Sequence, residues 1–201
     1  MTLKVPELDS TDEYRPALVR MVAKTSWLAH PDTVRAIGRA VFPTVRARKQ
    51  HKRGGEVIKD GKAVGMYDDN TTPRWAMLWA HGIPITHHPS SRTFAHVWEG
   101  ADDIASYNHL ANIVMVPEPF AGLTDKKGPL TGYLRWHAWS AYNWKPAHAT
   151  PPEKPDDFAD IQWQYLPKID DPMEFIRSRI AALDNGRIRT LRPIMERLGM
   201  L

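Results

Sequence analysis

There is no cysteine among the 201 residues. That removes disulfides, thiolate nucleophiles, iron–sulfur clusters and every zinc site built on cysteine. There is also no run of about 18 apolar residues, the length a helix needs to span a bilayer. The first residues, Met1 to Glu7, carry no apolar secretion core. The expectation is a cytoplasmic protein with no membrane partner. Neither sign of charge dominates: 27 Lys and Arg against 23 Asp and Glu leave a net charge of +4. That bias suits a polyanion without demanding one. Internal repeats and low-complexity segments are lacking as well.

What is present describes a folded chain. Hydrophobic residues make up 42% and charged residues 25%, the composition of a globular protein and not of a disordered one. Eight Trp supply enough buried area for an ordinary core. The length fits one domain, residues 1–201, in three stretches.

Residues 1–54 read as helical. Ser10-Thr11-Asp12-Glu13 matches a capping box, followed by Leu18, Val19, Val22 and Ala23 at helical spacing. A second helix is expected from Pro31-Asp32 through Val34, Ile37, Val41 and Phe42, interrupted by Pro43. Arg46, Arg48, Lys49, Lys52 and Arg53 then form a basic cluster around His51. It is either a solvated helix end or loop, or a stripe that holds nucleic-acid phosphates without reading sequence.

Residues 55–128 read as a hairpin, with the Asp60-Gly61 turn, then strand, loop, strand and helix. A short helix is expected from Thr72-Pro73 to Gly82, an extended lead-in at Ile83 to Thr86, then strands at Arg92–Trp98 and Ile113–Val116. Pro117-Glu118-Pro119 is expected to open a helix through Leu123. In residues 129–201, an aromatic-rich helix from Leu130 to Trp144 precedes a Pro-rich linker and C-terminal helices. Asp171-Pro172 caps the first of these and Asn185-Gly186 closes it. The class is α+β.

Chemistry concentrates in one place. Phe94-Ala95-His96-Val97-Trp98 puts a histidine at the end of an apolar run. Asn112 opens the next run, Ile113 to Val116, and Asp125 follows about a helix later. An imidazole near its ordinary pKa of about 6.5 can take a proton from water at neutral pH. Taken singly, each residue has a duller reading: a hydrogen-bonded core histidine, an asparagine ending a loop, an acid in a last helical turn.

Together the His96 strand, the Asn112-led strand and the following segment resemble the HNH endonucleases, the ββα-metal or His-Me finger group, over Arg92 to Lys127. The resemblance implies a ββα-metal core flanked by N- and C-terminal helices, and hydrolysis of phosphodiester bonds. His96 would be the base and Asn112 the residue that holds its loop. A divalent ion, magnesium or manganese, would have Asp125 as its ligand. Ala95 stands where the family usually has an acid or histidine, and Ala121 where it often has asparagine or histidine. Asn108, His109 and Glu99 are the alternates. The implied partner is DNA, bound by the basic cluster. A homodimer is implied if both strands are cut, in a restriction or defence setting. Two rivals remain: a nucleic-acid-binding protein with an inactive core of this kind, and a protein-interaction module built on the Trp-rich helix. His87-His88 is read as a surface or phosphate-contacting pair, and His137 as packed or partly exposed on the aromatic helix.

Overall fold

The computed structural model of the chain describes residues 11–87, 91–124 and 128–201. Over these the fold is α+β, with two small sheets wrapped by helices. The first helix, α1 (Thr11–Thr25), buries Val19, Val22 and Ala23, which recur at the three- and four-residue steps that share a helix face. Ser10, its expected cap, lies outside the described residues. The second, α2 (Pro31–Ile37), starts with Pro31 in its first turn and with the His30 ring accepting the Asp32 N–H.

The expected helical stretch is interrupted more than its sequence suggested. Helix α2 ends at Gly38, which takes a left-handed φ of 63° and donates its N–H back to Val34. Two strands lie in the same stretch: β1 (Trp27–Leu28) and β2 (Thr44–Arg46). Residues 44–46 are therefore extended because they pair in parallel with β4 (Lys62–Asp68), whose other edge is antiparallel to β3 (Glu56–Lys59). The expected hairpin is present. Asp60 and Gly61 both have positive φ, the requirement of a two-residue turn that matches strand twist.

The second sheet runs in the order β5 (Arg92–His96), β6 (Ile113–Pro117), β1, β7 (Gln164–Tyr165). Strand β6 sits inside it and is covered on both faces. Ile113 and Met115 point into one apolar cluster, Val114 and Val116 into the other. That is why its sequence is apolar throughout rather than alternating. The larger cluster is built on α3 (Thr71–Trp79), where Trp75 and Trp79 stack at 4.8 Å with Phe42 edge-on to both. Helices α6 (Pro172–Ala182) and α7 (Gly186–Arg197) close it with Ile176, Ile180, Ile188 and Leu191. The smaller cluster lies between α1, β6 and α5 (Thr131–Tyr142), which buries Tyr133, Leu134, His137 and Ala138.

Three other expectations are corrected. Residues 83–86 form no strand; a 3-10 turn occupies Ile85–His87, and His88 lies outside the described residues. Glu118–Thr124 is a 3-10 helix and not an α-helix. Asn185 does not close α6 but caps α7, its side chain accepting the N–H groups of Arg187 and Ile188.

Helix α7 is tied to the small sheet by charge. Arg187 lies 3.2 Å from the fully buried Asp68 carboxylate and 2.8 Å from Asp69, above the Trp75 ring. Replacing Arg187 with methionine should lower the unfolding free energy by about 3 kcal/mol, because a buried carboxylate loses its cation. Urea denaturation at pH 7 measures it. Asp68 already holds its proton more tightly than usual because of burial, so the deficit should shrink as pH falls.

Candidate active-site cleft

Strands β5 and β6 pair so that His96 lies opposite Ile113, at the mouth of the hairpin. Between them the chain makes a loop with one short helix, α4 (Ile104–Tyr107), capped by Asp103. Asn112 holds this loop from beneath. Its backbone carbonyl accepts the Val97 N–H at 2.9 Å and its side-chain Oδ1 accepts the Trp98 N–H at 2.7 Å. Its amide nitrogen donates to the Ser106 carbonyl at 3.0 Å. A fully buried asparagine thus fastens both limbs of the loop that follows His96. Asn112→Ala should leave the Trp98 N–H without a partner and cost about 2 kcal/mol of stability. Asn112→Asp should be no better, since an anionic oxygen then faces the Ser106 carbonyl. Thermal melts of both variants test this.

The His96 ring is half-buried and stacks on the Tyr107 ring, centroids 5.0 Å apart. Its Nε2 lies 2.9 Å from the Tyr107 carbonyl. A carbonyl only accepts, so Nε2 carries the proton and Nδ1 keeps the lone pair. Burial, reinforced by the Arg46 charge and opposed by the Tyr107 carbonyl, holds the ring's pKa below 6.5. His96 is neutral at pH 7. The Tyr107 hydroxyl donates to Asn70 Oδ1 at 2.9 Å and accepts the Asn70 N–H at 3.1 Å, which fixes the ring under the histidine.

His96 opens onto a cleft of about 600 Å³. Its walls include Thr93, Glu99, Asn70 and Thr124, with Thr131 and Arg135 from α5. Glu99 is exposed at the rim. The alternates Asn108 and His109 face elsewhere. Asn108 is fully buried, its amide donating to the Phe42 carbonyl and the Thr44 hydroxyl. His109 stacks on Trp144 at 4.4 Å and lines two other hollows. Asp125 lies outside the described residues. His137 is buried beside Tyr142, Trp163 and Tyr165, as expected of a packed residue.

Magnesium wants a near-octahedral shell of oxygen donors. Among the described residues no three His, Asp or Glu side chains gather to hold a metal. Ala95 and Ala121, at the positions where the resemblance implies ligands, both line the cleft and offer none. The described residues therefore do not by themselves fit a protein-held magnesium ion.

The basic cluster lies beside the loop that edges the cleft. Arg46, Arg48, Lys49, Lys52 and Arg53 are all exposed. The Arg46 N–H donates to the Ala101 carbonyl at 2.7 Å and the Arg48 side chain pairs with Asp102, so this segment is stitched to the loop at the cleft's edge. Arg53 pairs loosely with Asp69 at 3.7 Å. Tyr107, Asn70 and Arg135 were not singled out from the sequence. A lone cation on an aromatic helix is the one local sign that could have drawn attention to Arg135. No protein-family model, curated protein or solved structure matches the chain. No described helix is long and apolar enough to cross a membrane.

Proposed function

We propose that this chain is an endonuclease of the HNH kind that hydrolyses phosphodiester bonds of DNA. The observation that carries the reading is the state of His96: a neutral imidazole at the end of a strand, oriented by a backbone carbonyl and an aromatic stack, beside an open cleft. In this mechanism Nδ1 takes a proton from water. The water oxygen attacks phosphorus, the bond to the leaving sugar oxygen breaks, and that oxygen takes a proton from solvent. Asn112 keeps the loop, and so the Tyr107 carbonyl, in place. The segment from Arg46 to Arg53 carries the flanking backbone.

The test is supercoiled plasmid incubated with purified protein in magnesium, in manganese and in chelator. Nicked or linear product supports the reading, and the three arms decide which ion takes part. A linear product forming in one step points to the homodimer. A second reading is favoured by Ala95 and Ala121: a nucleic-acid-binding protein on the same scaffold that does not cut. It predicts steeply salt-dependent binding with no product in any arm.

A further inference from the structure

Arg135 differs from several arginines whose side chains are fixed in this fold. Arg35, Arg48, Arg187 and Arg189 each face a carboxylate. Arg135 faces none among the described residues; its Nε donates to the Val97 carbonyl at 3.4 Å and its guanidinium lies over the Trp98 ring, 4.9 Å from the centroid. These two contacts fix the side chain, and they leave both terminal nitrogens uncommitted. The stack on the indole face offsets part of the cost of a half-buried cation. The fork lines the same cleft as His96, with the hydroxyls of Thr93 and Thr124 and the amide of Asn70 around it. The Trp98 indole N–H, on a residue only 8% exposed, is buried with no partner among the described residues.

We propose that Arg135 is the phosphate anchor of this cleft, holding one phosphodiester group of a polynucleotide beside His96. A planar fork with two free nitrogens matches two phosphate oxygens, which an ammonium cannot do. A volume of about 600 Å³ admits a nucleotide. The hydrolytic step rests on the nuclease reading above, whereas the binding does not.

Binding of a fluorescein-labelled duplex, followed by anisotropy across a salt series, tests it. Arg135→Gln should bind about tenfold to a hundredfold more weakly near physiological salt. Its slope of log affinity against log salt should fall by about one, the share of a single phosphate contact. Arg135→Lys should keep the slope. Arg135→Met, which retains the stem over Trp98, replaces the glutamine variant if that one fails to fold. Inorganic phosphate as competitor separates the sources: displacement of the duplex at millimolar phosphate would mean a site for the free anion and overturn the assignment to a polynucleotide. An unchanged slope and affinity in both Arg135→Gln and Arg135→Met would overturn the anchor, even in a protein that cuts. A protein that never cuts but loses one unit of slope on losing Arg135 would keep the anchor and refute the nuclease.

Discussion

His96→Ala should lower the rate of plasmid cleavage by about two to four orders of magnitude, the usual range for loss of a positioned base. Its affinity for duplex DNA should stay near that of the unaltered protein, since the flanking backbone is held elsewhere. The dependence on pH adds a second, sharper expectation. A general base works in its unprotonated form, so the rate rises as the ring loses its proton and then levels off. The ring's pKa lies below 6.5 through burial and the nearby Arg46 charge. The rise should therefore be complete before neutrality, and single-turnover rates should be flat from pH 7 to pH 8. A rate still climbing tenfold per unit over that range would mean that another group, or hydroxide itself, supplies the base. Cleavage unchanged in His96→Ala would remove His96 from the chemistry altogether.

The hairpin that carries His96 was legible because its sequence signals are local. An apolar run ends in histidine, another begins after asparagine, and antiparallel pairing needs no partner outside the stretch. The loop-holding place of Asn112 came from the family resemblance and not from the residue pattern; its partners Trp98 and Ser106 lie within the same loop. Strand β2 was not legible. Thr44-Val45-Arg46 is three residues long, follows a proline, and is extended only because β4, about twenty residues later, offers an edge. The close fit of that pairing is visible at Gly65, where a Cβ would lie 2.6 Å from the Pro43 carbonyl oxygen. The segment after β6 was misread as an α-helix because Pro117 and Pro119 suit a helical first turn. With Gly122 close behind, only a 3-10 helix forms, and the Thr124 hydroxyl closes it on the Ala121 carbonyl at 2.7 Å.

Candidate residues divided along the same line. Asn108 and His109 are near neighbours of Asn112 in sequence, yet the 3-10 turn Leu110–Asn112 sends them to other parts of the core. Arg135 joins the cleft only through contacts with Val97 and Trp98, more than thirty residues earlier, which no periodicity reveals. The cation that faces the cleft thus comes from a different segment than the histidine. The basic cluster, legible as charge, gains its relation to the site from the Arg46–Ala101 and Arg48–Asp102 links.

Acid should begin to destabilise this protein well above the pH at which its carboxylates titrate. Three histidines, His81, His109 and His137, are buried, and burial lowers the pKa of each to about 4. The hydrogen bonds of His81 and His109 require the neutral ring, and His137 is kept neutral by burial alone. His81 donates from Nδ1 to the Met77 carbonyl and accepts the His30 N–H on Nε2; His109 accepts the Ala111 N–H on Nδ1. A second proton would turn an accepting nitrogen against an N–H. In the unfolded chain the same rings bind protons at about 6.5. Because the folded value is the lower one, the unfolded state takes up more protons between the two. The stability these rings contribute is therefore full above pH 6.5 and is lost as pH falls toward 4. Each ring accounts for roughly 3 kcal/mol over that window, so together they approach the whole stability of an ordinary domain, about 5–15 kcal/mol. The raised pKa of Asp68 acts in the opposite sense and returns part of the loss. Urea midpoints measured from pH 7 to pH 4.5 should fall steeply, with an uptake of about three protons on unfolding from these rings and a further share from His96, less the share of Asp68. His137→Phe should remove about one proton from that slope. A midpoint constant across the range would mean that these rings are reached by water in the folded protein, and the packing around all three would have to be redrawn.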